Sequence, residues 1–150
     1  MKKMMIIMLL TVGIGANAVF ASGDDDVTTV AKKTFDKEFP SALYVKWEKV
    51  KNSDVYMVRF VYNDQALLSY ISERGEMVAT ARNIEKAQLP FMINEILRKK
   101  LSVYKVVQIE ELTTASETSY FATLEDVKAI TYVRLFSNGT FAVIRKDKKN

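Results

Sequence analysis

The chain has no cysteine and no histidine in its 150 residues. Without cysteine there is no disulfide framework, no thiolate nucleophile and no thiol redox work. Without histidine, Ser-His-Asp and Cys-His catalysis is gone, and with both residues missing so are the usual zinc sites. Glycine occurs five times and proline twice, and no Gly-rich phosphate loop is present. No stretch beyond the first 21 residues is long and apolar enough to cross a membrane. A strong net charge is missing as well. The chain carries 22 basic and 18 acidic residues, and removing Lys2 and Lys3 with an N-terminal signal leaves 20 against 18, a net of +2 that is too mild to argue for nucleic acid. The basic tail Arg145-Lys-Asp-Lys-Lys149 reads as a solvated end. These absences exclude most enzyme chemistry and leave a fold that stands on packing alone.

What is present begins with an export signal. Lys2 and Lys3 form a basic start, Met4 to Val12 is apolar apart from Thr11, and small residues follow. Two cleavage sites fit the small-x-small rule, ending at Ala18 and at Ala21, and the second is preferred because the polar run Ser22-Gly-Asp-Asp-Asp26 follows it. No cysteine follows the apolar run, which excludes lipid attachment at a lipobox. The sequence therefore predicts a signal peptide over 1–21, a single domain over 22–150, and a periplasmic or secreted location with no membrane role after cleavage.

The remainder states one phrase twice. Lys37 to Val50 and Lys99 to Leu112 align without a gap at an offset of 62 residues. Lys37, Val45 and Glu48 match Lys99, Val107 and Glu110, while Phe39 falls on Leu101, Trp47 on Ile109 and Val50 on Leu112. Each phrase joins the end of a helical stretch to a run of strand-like segments. The first helix is expected to start at a cap on Asp25 or Asp26, to bury the stripe Val27, Val30, Ala31, Phe35 and Phe39, and to stop at Pro40. Pro90 opens the second helix, with Leu89, Ile93, Leu97 and Leu101 repeating every four residues. Leu43 to Val50 alternates, so that Leu43, Val45 and Trp47 share one face and Tyr44, Lys46 and Glu48 the other. Val55 to Tyr62 is apolar on both faces except at Arg59. Asn63-Asp64 and Asn138-Gly139 are hairpin turns, the second the stronger signal. Gly75 and Gly139 hold matching places. The expected fold is α+β: a tandem duplication of a helix followed by a four-stranded antiparallel meander, over about 24–83 and 84–146, with joined sheets and both helices on one face.

The phrase Phe39-Pro-x-Ala42-x-x-Val45-x-Trp47, together with Leu89-Pro90 at the second helix and the repeated layout, resembles the exported PepSY-like, beta-lactamase-inhibitor-like family. The resemblance covers nearly all of the chain after the signal. It implies two helix-plus-four-strand units with joined sheets and a role in restraining another protein, such as a peptidase. The chain departs from the pattern after the second helix, where Leu101-Ser-Val103 stands in place of Pro-Gly, and it lacks the inhibitor's cysteines. No inhibitor contact residue transfers position by position.

Carboxylates offer little chemistry. Asp24-Asp-Asp26 lacks the alternating spacing of a calcium loop and suits a helix cap. Glu110 and Glu111 point to opposite faces of a strand and cannot pair for acid–base work. Glu117, Glu125 and Asp126 read as loop or strand-end residues, and Asn138-Gly-Thr140 as a hairpin rather than a glycosylation site. Trp47 is assigned to the core, and Tyr56, Phe60, Tyr120 and Phe141 are expected to face the helices. Tyr44, Arg59, Tyr132 and Arg134 are expected on the opposite face, and tyrosine and arginine are enriched at protein interfaces. The sequence thus predicts a non-enzymatic module with no cofactor and no metal that binds a protein or peptide through these four residues. The alternative is a carrier of a small apolar ligand between sheet and helices. It leaves the partner and the oligomeric state open.

Overall fold

The first helix begins where a threonine, not an aspartate, can cap it. A computed structural model describes residues 26–149; the predicted signal peptide and cleavage site lie outside them. Thr28 has extended backbone geometry, and its Oγ1 accepts from the Ala31 N–H at 3.3 Å, opening α1 (Thr29–Glu38). Phe39 ends the helix, its N–H donating to the Phe35 carbonyl at 2.8 Å ahead of Pro40. Val30 leaves the expected stripe and is 54% exposed, while Ala31 and Phe35 are buried.

β1 (Leu43–Lys49), β2 (Val55–Tyr62), β3 (Gln65–Ser72) and β4 (Met77–Asn83) follow, then a 3-10 turn at Lys86–Gln88 and α2 (Phe91–Lys99). Pro90 caps α2 from just outside it, one residue before the first helical position. β5 (Lys105–Thr114), β6 (Thr118–Glu125), β7 (Ala129–Leu135) and β8 (Phe141–Lys148) complete the chain. The eight strands form one antiparallel sheet in chain order. The register from Ala79↔Thr114 to Asn83↔Glu110 carries the ladder across the middle of the molecule. The class is α+β.

Asn63 and Asp64 both have positive φ, 49° and 60°, the geometry of a two-residue I′ hairpin. Asn138-Gly139 is built differently. Gly139 donates to the Phe136 carbonyl at 3.0 Å, Phe136 donates to that of Thr140 at 2.9 Å, and only Gly139 is left-handed, at φ +81°. This is the three-residue loop with a glycine bulge. Ser72 to Glu76 repeats it around Gly75, also at φ +81°.

Three apolar clusters follow the parity of the strands. Ala31 and Phe35 of α1 pack with Trp47, Tyr56, Val58, Phe60 and Ile71. Trp47 is 7% exposed and stands edge-on to Phe35 and Tyr56, with ring centres 5.3 and 5.9 Å away. Ile93, Ile96 and Leu97 of α2 pack with Ile109, Ala122, Leu124, Val133 and Leu135. Register through β4 and β5 gives these two clusters the same side of the sheet. The third cluster, Val55, Met57, Tyr70 and Ala79 with Val50, Leu68, Val78 and Leu112, has the opposite parity and takes no residue from a helix.

Candidate protein-binding face

Cross-strand register sets the residues of the helix-free face. Reading from β1 to β7, Lys46 and Glu48, Met57 and Arg59, Leu68 and Tyr70, Ala79 and Ala81, Gln108, Glu110 and Leu112, Phe121 and Thr123, then Tyr132 and Arg134 share one side. The centre of this face is β4, where two alanines stand. Their short side chains leave room for Tyr70, Leu68 and Leu112 to lean in from the neighbouring strands. Tyr70 is 3% exposed and Ala79 5%, although neither α1 nor α2 contributes to their cluster. The face therefore has an apolar floor of its own rather than a uniformly wet surface.

Charged groups surround that floor in unequal states. Arg59 Nη1 donates to Glu48 Oε1 at 2.9 Å. Arg134 Nη2 donates to Glu117 Oε1 at 2.9 Å and to Ser119 Oγ at 2.8 Å, and its guanidinium lies 5.1 Å from the Phe136 ring centre. Its Nε is buried without a partner among the described residues. Arg145 stacks on Tyr132 at 4.1 Å. Glu110 differs from these, because among the described residues its carboxylate accepts only from the Gln108 amide, at 3.0 Å. Burial pushes its carboxyl up to about 7, partly offset by that hydrogen bond. Burial also pushes the Tyr70 phenol up to about 12; the charge of Glu110 adds to the rise and that of Arg59 opposes it. Glu111, on the helix side, accepts from Arg82 Nε at 2.7 Å. The two adjacent glutamates thus stay on opposite faces.

Of the four residues picked from the sequence, Arg59, Tyr132 and Arg134 share this face. Tyr44 does not obey the alternation used to place it. A register shift between Leu43 and Lys46 makes a bulge, Tyr44 takes φ 55°, and its side chain is 81% exposed at the sheet edge. The same bulge removes Leu43 from the face of Val45 and Trp47: it pairs with Val61 and is 59% exposed. Tyr70 and Glu110 were not foreseen. A signal existed in the aligned phrases, where Glu48 maps to Glu110 while Lys46 maps to the uncharged Gln108. Among the described residues no three acidic side chains come together as a metal site. Asp26 uses its backbone carbonyl to accept from the Tyr56 hydroxyl at 3.1 Å.

The chain shares its fold with solved Bacteroides proteins. A protein of Bacteroides eggerthii named for the periplasm superposes with a TM-score of 0.70 at 13% identity, covering 81% of this chain and 88% of that one. A BLIP-like protein of Bacteroides fragilis gives 0.63 at 15% identity, covering 87% and 89%. A DUF2874 family protein of Bacteroides uniformis gives 0.68 at 13% identity, covering 80% and 88%. No family model matches the chain, and no curated protein is similar to it. At these identities the likeness is one of fold. No helix among the described residues is long and apolar enough to cross a membrane.

Proposed function

We propose that the chain is an exported, non-enzymatic binding module of the periplasmic, PepSY-like kind, in which a duplicated helix-plus-meander unit presents its helix-free face to a protein or peptide. The observation that carries this reading is the face itself. An apolar floor around Tyr70, with Arg59 and Glu110 beside it and Tyr132 and Arg134 further along the same face, lies on the side that neither helix covers. Such a floor with a polar, aromatic and arginine rim has the composition of a protein interface. Resemblance to a BLIP-like fold and to a protein named for the periplasm agrees with a module that restrains another exported protein. The apolar-carrier alternative rested on the two apolar faces of β2. Each of those faces packs into one of the protein's own clusters, which accounts for both without a ligand.

The test is capture from periplasmic extract by the immobilised chain, quantified by mass spectrometry, against Arg59→Ala combined with Tyr132→Ala. The expected result is loss of a captured species with an almost unchanged melting curve. Equal capture by both proteins would move binding away from this face.

A further inference from the structure

Register makes the two halves comparable position by position. In the first half Lys46 lies opposite Arg59 and Glu48 opposite Met57. In the second, 62 residues later on β5, Gln108 lies opposite Thr123 and Glu110 opposite Phe121. The carboxylate is kept at the same place, and both cations are replaced by neutral residues. Glu48 is neutralised by Arg59 at 2.9 Å. Glu110 has no ion pair among the described residues and accepts only from Gln108, whose amide is shared with Asn83 Oδ1 at 2.8 Å.

We propose that Glu110 is the seat for a cationic side chain, a lysine or arginine of an extended partner segment laid across the helix-free face. This rests on the binding reading above and names the chemistry of its partner. Charge complementarity carries it. A half-buried carboxylate beside an apolar floor is costly when unpaired, and a partner's cation removes that cost on docking. The neighbouring groups cannot supply the charge. On β2, Arg59 is committed to Glu48. On β3, Tyr70 offers a neutral phenol. On β4 and β5, Asn83 and Gln108 are amides. On β6, Phe121 is opposite, and beyond it on β7 Arg134 is committed to Glu117 and Ser119. The floor of Leu68, Tyr70, Leu112 and Phe121 would take the aliphatic stem of the cation, as long basic side chains bury their stems against apolar surface.

The test uses three capped pentapeptides that differ only at the central residue: lysine, norleucine or glutamate. They are titrated into the 15N- and 13C-labelled chain and followed by NMR. The lysine peptide is expected to bind about ten-fold tighter than the norleucine peptide and to shift amides on β3 to β6, with the glutamate peptide weakest. Glu110→Gln, which keeps the shape and hydrogen bonding of the side chain, is expected to erase the lysine advantage while leaving norleucine binding unchanged. In the wild-type chain the Glu110 carboxyl resonance should titrate near 7 when free and move toward the ordinary range of about 4.3 with saturating lysine peptide. That readout needs no variant to fold. Equal affinity for lysine and norleucine on this face overturns the cation seat and leaves the binding reading standing. Shifts confined to the helix side overturn both. Absence of binding by all three peptides, or a Glu110 that titrates at the ordinary value in the free chain, overturns the cation seat.

Discussion

Glu48 and Glu110 fall at the same place in the two aligned sequence phrases and sit in one sheet under different electrostatics. Glu48 stands opposite Met57 at the edge of the sheet and holds Arg59. Glu110 stands opposite Phe121 near its middle, with a single amide for company. Identical residues on identical secondary structure therefore differ because their cross-strand neighbours differ. The unit of function on a sheet is the cross-strand set, not the residue.

The comparison of halves can be broken first in the core. Trp47 and Ile109 are aligned, buried at 7% and 4% exposure, and each belongs to a helix-side cluster. Trp47→Ala is expected to cost about 3–5 kcal/mol and Ile109→Ala about 2–5 kcal/mol, the smaller loss where less volume is removed. Urea melts measure both. An unmoved midpoint for Trp47→Ala would place the indole outside the core.

The two glycine bulges give the next contrast. Both have φ +81°, so alanine costs about 1–2 kcal/mol at either from backbone strain. At Gly75 a Cβ would meet Val30 Cγ1 at 2.6 Å and Thr34 Oγ1 at 2.9 Å, because α1 is tied to this turn by Thr34 Oγ1 donating to the Gly75 carbonyl at 2.8 Å. At Gly139 the nearest atom would be the flexible Met92 Cε at 3.6 Å. Gly75→Ala should therefore exceed Gly139→Ala by about 1 kcal/mol or more in thermal or urea unfolding. Equal losses would mean that α1 yields freely.

The glutamates themselves come third. The carboxyl of Glu110 is raised in the folded chain, to about 7. The folded state holds this proton more tightly than the unfolded state does, so the contribution of Glu110 to stability is greatest below about pH 4.3 and is lost as pH rises through about 7. Glu110→Gln should then stabilise the chain by about 1–2 kcal/mol at pH 8, with the figure reduced for solvent access, and do little at pH 4. Chemical denaturation at the two pH values measures it. The smallest effect is expected at Glu48→Gln, about 0.5 kcal/mol of loss, since its pair with Arg59 is partly exposed.

Much of the fold was legible because periodicity and punctuation are local. Pro40 and Pro90 mark where α1 ends and α2 begins, and the Gly75 and Gly139 loops close matching hairpins. The errors also have local causes. A bulge at Tyr44 breaks the alternation that placed both Leu43 and Tyr44. Asn138-Gly139 matches a two-residue turn in composition, yet the loop uses only its glycine in left-handed geometry. Thr28 displaces the aspartates because a cap depends on one residue's spacing from the first turn. The Tyr70–Glu110 centre was hidden for a different reason. It depends on which residues of β3, β4 and β5 face one another, and one strand read alone carries no register.

Strand order equal to chain order has a mechanical consequence. Among the described residues every ladder joins neighbours in sequence, and no crossover ties β1 or β8 into the middle of the sheet. A pull on the two ends of the described region loads these outer strands edgewise, so main-chain hydrogen bonds would break one after another, as in a zipper, instead of shearing together. The same path run backwards suits a chain that folds from one end to the other. Each strand can pair with the one delivered just before it, with little loop entropy to overcome.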